Sequence, residues 1–164
     1  MRANHRRRRR HRPHPRYHPV EAVILLQAAL LRRIEAAAQA AYPEECCGLL
    51  IGFRDPAGVV SVTEIAESAN IAPPPRRDRF EVDPALRFAT MRRLRAGGEE
   101  IVGHYHSHPD GPARPSGRDA AQAYEPELVW LIVAVAGDRS TATTAGLYDP
   151  AIAAFRPVPL AIPQ

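Results

Sequence analysis

The chain has no lysine, two cysteines, one tryptophan and 6% aromatic residues over its 164 positions, and of these scarcities the cysteines exclude most. Cys46 and Cys47 are adjacent, so the spaced disulfide framework of a small secreted domain cannot be built from them. They read instead as small buried hydrophobes at the start of a strand. No apolar stretch reaches the roughly 18 uninterrupted residues of a membrane span. The longest candidate, Ala22 to Leu31, contains Gln27 and runs into Arg32, Arg33 and Glu35. The lack of lysine, beside abundant alanine, is a composition bias and carries no functional inference. Histidine is missing between His18 and His104 and again after His108, which concentrates the chemistry of the body in one segment.

Residues 1–20 hold eight arginines and no acid; the whole chain is formally +4, which leaves about −4 for residues 21–164 by subtraction. The pI near 9.6 therefore belongs to the tail. With Arg6 to Arg10 unbroken, four histidines and three prolines, residues 1–20 have too little apolar surface to offset ordering and are expected to be disordered. Such an arm offers nucleic acid or anionic lipid only a screened, nonspecific contact. Removing residues 1–19 is expected to leave activity intact. Residues 21–164 are the right length for one domain. A basic start followed by Ala22–Leu31 imitates a secretory signal, but cleavage near Ala40 would discard the opening elements of the fold. The expected location is the cytoplasm, with no membrane partner.

Along the body, the pattern predicts an amphipathic helix over 25–41, stopped by Pro43, after a short strand. A buried strand follows over 46–53, with a hairpin partner over 59–65 across the turn Asp55-Pro56-Ala57-Gly58. A proline-rich loop, 72–79, leads to a brief strand at 80–82. Asp83 and Pro84 then start a helix expected to present Leu86, Phe88 and Met91 to the core, ending near Gly97 and Gly98. Strands are predicted over 100–106, 128–136, 141–148 and 155–160, with Ser116 capping a short helix that carries Asp119. The order describes an α+β fold, a mixed αβ sandwich without βαβ regularity.

His106 and His108, two apart on a strand, face the same way and can aim two imidazoles at one point. An acid carried back on a helix start, Asp119, offers a third ligand and leaves a fourth zinc position for water. By spacing alone this signal stands level with surface or structural histidines.

The fuller pattern resembles the JAMM (JAB1/MPN/Mov34) metallopeptidase family: His106-Ser107-His108-Pro109, six residues, Ser116 and Asp119, with the remote Glu45-Cys46-Cys47-Gly48 ahead of an apolar strand. The likeness covers about residues 21–150. It implies a central mixed sheet flanked by helices in the cytidine-deaminase-like manner, one zinc ion held by His106, His108 and Asp119, Glu45 as general base and acid, and Ser116 supporting the oxyanion. Glu44 falls one position out of the pattern. His104 shares the ligands' facing without being asked for by it, and Ser107 points to the other face.

Among relatives of that type, the chain looks like short stand-alone bacterial members. This implies cleavage of a peptide or isopeptide bond after the C-terminal diglycine of a ubiquitin-like or sulfur-carrier protein, for example releasing cysteine. Two alternatives stand beside it: a RadC-like, DNA-associated protein, which would carry Asn between the histidines and lack the Glu-x-Cys-Gly strand, and a catalytically silent scaffold. Whether the chain pairs as a homodimer is left open.

Overall fold

The computed structural model describes residues 22–163; the expected disorder of 1–20 and the domain start at Glu21 lie outside the described residues. The elements run β1 (Val23–Leu26), α1 (Ala28–Ala41), β2 (Cys47–Arg54), β3 (Val59–Ser68), α2 (Pro84–Leu94), β4 (Glu100–Pro109), α3 (Gly117–Gln122), β5 (Val129–Val135), β6 (Thr141–Asp149), β7 (Ala154–Val158) and β8 (Leu160–Ala161). One eight-stranded mixed sheet, ordered β7-β6-β5-β4-β2-β3-β1-β8, carries the helices, as the sequence implied.

Local chemistry explains most of these boundaries. β5 is a run of β-branched and large apolar residues, buried on both faces at the centre of the sheet. In α1, Leu30, Ile34 and Ala38 recur every four residues and form the buried stripe. The helix begins three residues later than the periodicity predicts, because Leu25 and Leu26 are taken into β1, which pairs in parallel with β3. Asp83 caps α2 by accepting the Ala85 amide at 2.8 Å.

The expected core face of α2 is corrected: Phe88 is 64% exposed and Met91 47%, and within the helix Thr90 alone is buried. The inward stripe is Leu86, Thr90 and Leu94, spaced by four, and Phe88 and Met91 fall outside it. The strand predicted over 155–160 also divides. Pro159 separates β7, which pairs with β6 at one edge of the sheet, from β8, which pairs with β1 at the other. One residue joins the two pieces, so the sheet curls until its edges meet at Pro159, whose carbonyl accepts the Ile24 amide at 2.9 Å.

The curl defines two layers. On one side α1 packs with Ile24, Leu50, Val102, Tyr105, Leu131 and Val133 into the larger core. On the other, a smaller cluster of Cys47, Phe80, Ala123 and Trp130 lies beside the histidines. Cys46 and Cys47 go to opposite layers, as strand neighbours must. Both thiols are free, and burial pushes them up to about 11 and about 12 respectively, which suits packing and not reactivity.

Candidate metal centre

β4 lies between β2, antiparallel with Cys47 opposite His106, and β5, parallel with Ile132 opposite His106 and Ala134 opposite His108. Past a register irregularity near Val102, the strand pairs regularly with a neighbour on each side through His106, so the alternation predicted from sequence holds at the histidines. His106 and His108 aim their Nε2 atoms at one point, 3.0 Å apart. The third group arrives on α3: Asp119 Oδ1 is 3.2 Å from His106 Nε2, and Oδ2 is 3.3 Å from His108 Nε2. All three side chains are buried.

This donor set fits a tetrahedral zinc ion. One ligand atom from each of the three residues lies within 4.8 Å of the others, a spacing that can close around an ion whose ligands stand about 2.0–2.1 Å from it. His108 Nδ1 lies 2.9 Å from the Pro112 carbonyl, a partner that fixes the proton on Nδ1 and turns the Nε2 lone pair toward the cluster. His106 has a different support. Phe80 stacks on its ring at 4.2 Å and 14°, and Trp130 meets it edge-on at 5.8 Å.

Electrostatics follow from burial and partners. Burial alone would raise Asp119, but hydrogen bonds with His106, His108 and the Ser116 amide outweigh it and hold the carboxylate far below its usual range. Burial lowers His106 past the help of Asp119. For His108, Asp119 and the Pro112 carbonyl overcome burial and raise it. The aspartate is therefore ionised and ready to ligate at any ordinary pH.

Glu45, just before β2, is 5% exposed, and its Oε2 is buried with no hydrogen-bond partner among the described residues. Burial pushes it up to about 8, with His108 pulling down and Asp119 pushing up. The structure thus brings a proton-holding carboxyl within the electrostatic reach of the cluster. Glu44 turns outward toward Arg76, 3.5 Å away. Ser116 caps α3: its Oγ accepts the Asp119 amide at 3.1 Å and donates to Asp119 Oδ2 at 2.7 Å.

Ser107 faces the other way, as its position on the strand predicts, and its Oγ accepts the Cys46 amide at 2.8 Å. His104 stays out of the cluster. It packs edge-on to Trp130 at 4.1 Å, and burial pushes it down to about 3. A groove of about 740 Å3 opens beside it, walled by Phe80, Trp130, Phe88 and Tyr124. Sequence reasoning missed Phe80 as the ring behind His106 and Asn70 as a hydrogen-bonding hub; a lone aromatic after a proline-rich loop was the available signal for the first.

Comparison with known proteins agrees with this geometry. The profile of prokaryotic homologs of the JAB domain (Prok-JAB) matches residues 27–145, and the chain belongs to that family. A desampylase of Haloferax volcanii is 36% identical over 90 residues, 55% of this chain and 62% of that protein. A probable TtuB-protein conjugate cleaving protease of Thermus thermophilus is 31% identical over 101 residues, 62% of this chain and 64% of that one. The chain thus spans less than two thirds of the length of these relatives. Among solved structures, a protein of Desulfitobacterium hafniense superposes with TM-score 0.74 at 27% identity, covering 87% of this chain and 93% of that one. A JAB1/MPN domain protein of Archaeoglobus fulgidus gives 0.50 at 19% identity, over 85% and 98%, and shows the fold.

Proposed function

We propose that this chain is a zinc metallopeptidase that cleaves the peptide or isopeptide bond following the C-terminal diglycine of a ubiquitin-like or sulfur-carrier protein. The observation that carries the reading is the buried cluster of His106, His108 and Asp119, with the buried carboxyl of Glu45 near enough to feel the charges of His108 and Asp119. The relatives' names, desampylase and conjugate-cleaving protease, support the substrate class.

His106, His108 and Asp119 would hold the ion, which when bound polarises the scissile carbonyl and lowers the pKa of its water from ~15.7 to about 7. In its ionised form, which the positive charge of a bound ion would favour against burial, Glu45 takes the proton of the attacking water. A carboxyl that burial raises holds that proton well enough to deliver it to the leaving nitrogen. Ser116 has its hydroxyl proton on Asp119 Oδ2, so supporting a developing oxyanion requires the hydroxyl to turn away from the aspartate. Phe80 and Trp130 back His106 and exclude water from that side. The aromatic-walled groove beside His104 adjoins Phe80 and Trp130, the rings packed on His106, and is the surface we assign to an extended chain.

Among the described residues, no helix is long and apolar enough to cross a membrane. We place the enzyme in the cytoplasm, where its carrier substrates would be made. The test is elemental analysis of the wild type and Asp119→Ala, with both assayed on a diglycine-ended carrier joined to cysteine or to a lysine side chain. One zinc per wild-type chain, lost with cleavage in the variant, supports the reading. A metal-bound chain that cuts unfolded peptides as readily as the carrier adduct overturns the substrate class, and a chain that never takes up metal is a scaffold.

A further inference from the structure

Asn70 lies in the segment after β3, outside every motif the sequence offers, yet it uses its whole side-chain capacity. Nδ2 donates to the Glu45 carbonyl and to the Arg79 carbonyl, both at 3.0 Å. Oδ1 accepts the Ala72 and Glu81 amides, both at 3.1 Å. Two carbonyls on one end and two amides on the other fix which atom is nitrogen, so the four bonds form a self-consistent set.

Those partners sit at two functional places. Glu45 is the raised carboxyl, and Arg79 and Glu81 bracket Phe80, the ring stacked on His106. The rest of the Glu45 main chain is held in concert: its amide donates to the Arg76 carbonyl at 2.7 Å, in the same loop that Asn70 ties down. The next amide, Cys46, donates to Ser107 Oγ on β4. One side chain thus joins the peptide of the proton carrier to the peptides on either side of the ring behind a metal ligand.

We infer that Asn70 is a positioning residue for hydrolysis, fixing Glu45 relative to His106 by tying the Glu45 peptide to the peptides that flank Phe80, the ring stacked on His106. The inference rests on Glu45 being the proton carrier proposed above. A misplacement of about 1 Å at a reacting group can cost on the order of 10²-fold in rate, and four hydrogen bonds on one amide are a means of preventing it. Ser107 does the same work for the following peptide from the side of the sheet.

The experiment compares Asn70→Asp, which keeps Oδ1 and removes the two donor bonds, and Asn70→Ala, which removes all four. Both are made in the wild type and in Glu45→Gln. Expected are a fall in kcat of about 10–100-fold, KM within about threefold, and zinc content unchanged. In the Glu45→Gln background the same substitutions should have no further effect on the residual rate, because the group they position is gone. Equal fold-losses in both backgrounds, or a loss expressed as zinc release or raised KM, overturn the inference and leave Asn70 a plain loop knot.

A wild type that cleaves no carrier adduct sinks the proposed function instead. Amide exchange in the metal-free protein then decides for Asn70. Faster exchange at Glu45, whose amide Asn70 does not itself bind, in Asn70→Ala, with β5 unchanged, upholds the positioning; unchanged exchange at Glu45 refutes it.

Discussion

Ser116 and Asp119 hold each other in both directions: the serine hydroxyl donates to Asp119 Oδ2 and accepts the Asp119 amide, while the Ser116 amide also donates to Oδ2 at 2.6 Å. The capping box that starts α3 is therefore the clamp on the third metal-capable side chain. Ser116→Ala is expected to lose about 1 kcal/mol of stability as a cap and to weaken zinc binding by about 10–100-fold as a lost support for a ligand. Urea unfolding and a competitive zinc titration read the two effects separately. A variant with full zinc affinity would show that the cap does not hold the ligand.

Glu45 should make the metal-free protein less stable toward alkali. Its carboxyl is raised in the fold from 4.5 to about 8, so its contribution is intact below about pH 4.5 and is lost as pH rises through 8. Glu45→Gln, which cannot ionise, is expected to match the wild type at pH 5 and to exceed it by roughly 2 kcal/mol at pH 9, a deliberate discount on 1.36 kcal/mol per unit. Denaturant midpoints at both pH values test this; equal differences at both would mean that the buried carboxyl is not disfavoured.

Gly48 in β2 has no room for a side chain. A Cβ there would stand 2.5 Å from the Ala66 carbonyl oxygen and from the ring of Tyr105, itself fully buried. Gly48→Ala is expected to cost about 3 kcal/mol in urea unfolding through overpacking. Gly117, with nothing within 4 Å of its added Cβ, should accept alanine with a change below about 0.5 kcal/mol.

The ion pair between Arg87 and Glu125, in which one guanidinium nitrogen meets both carboxylate oxygens at 2.6 and 2.8 Å, is conspicuous but 40–44% exposed on its side chains. Arg87→Met should shift stability by less than about 1 kcal/mol, and less again in 0.5 M salt. A larger loss would mean that the pair locks α2 onto the segment after α3.

How far the sequence reaches is set by how local each cause is. The convergence of His106 and His108 was legible because two-residue alternation is a property of any strand, and the cap at Ser116 because its chemistry spans three residues. The start of α1 and the exposure of Phe88 were not, since the first depends on β3 competing for Leu25 and Leu26, and the second on which side of α2 meets the sheet. Asn70 is the extreme case. Its four partners lie 2 to 25 residues away in irregular chain, a pattern that no periodicity reports.

The closure at Pro159 bears on synthesis. A chain made from its N-terminal end produces β1 early, but β1's outer neighbour, β8, only more than 130 residues later, since Ile24 pairs with Leu160. In the interval one side of β1 is an open edge, able to recruit any extended segment nearby. The same short strand that seals the finished sheet therefore sets how long the nascent protein stays vulnerable to mispairing on the ribosome.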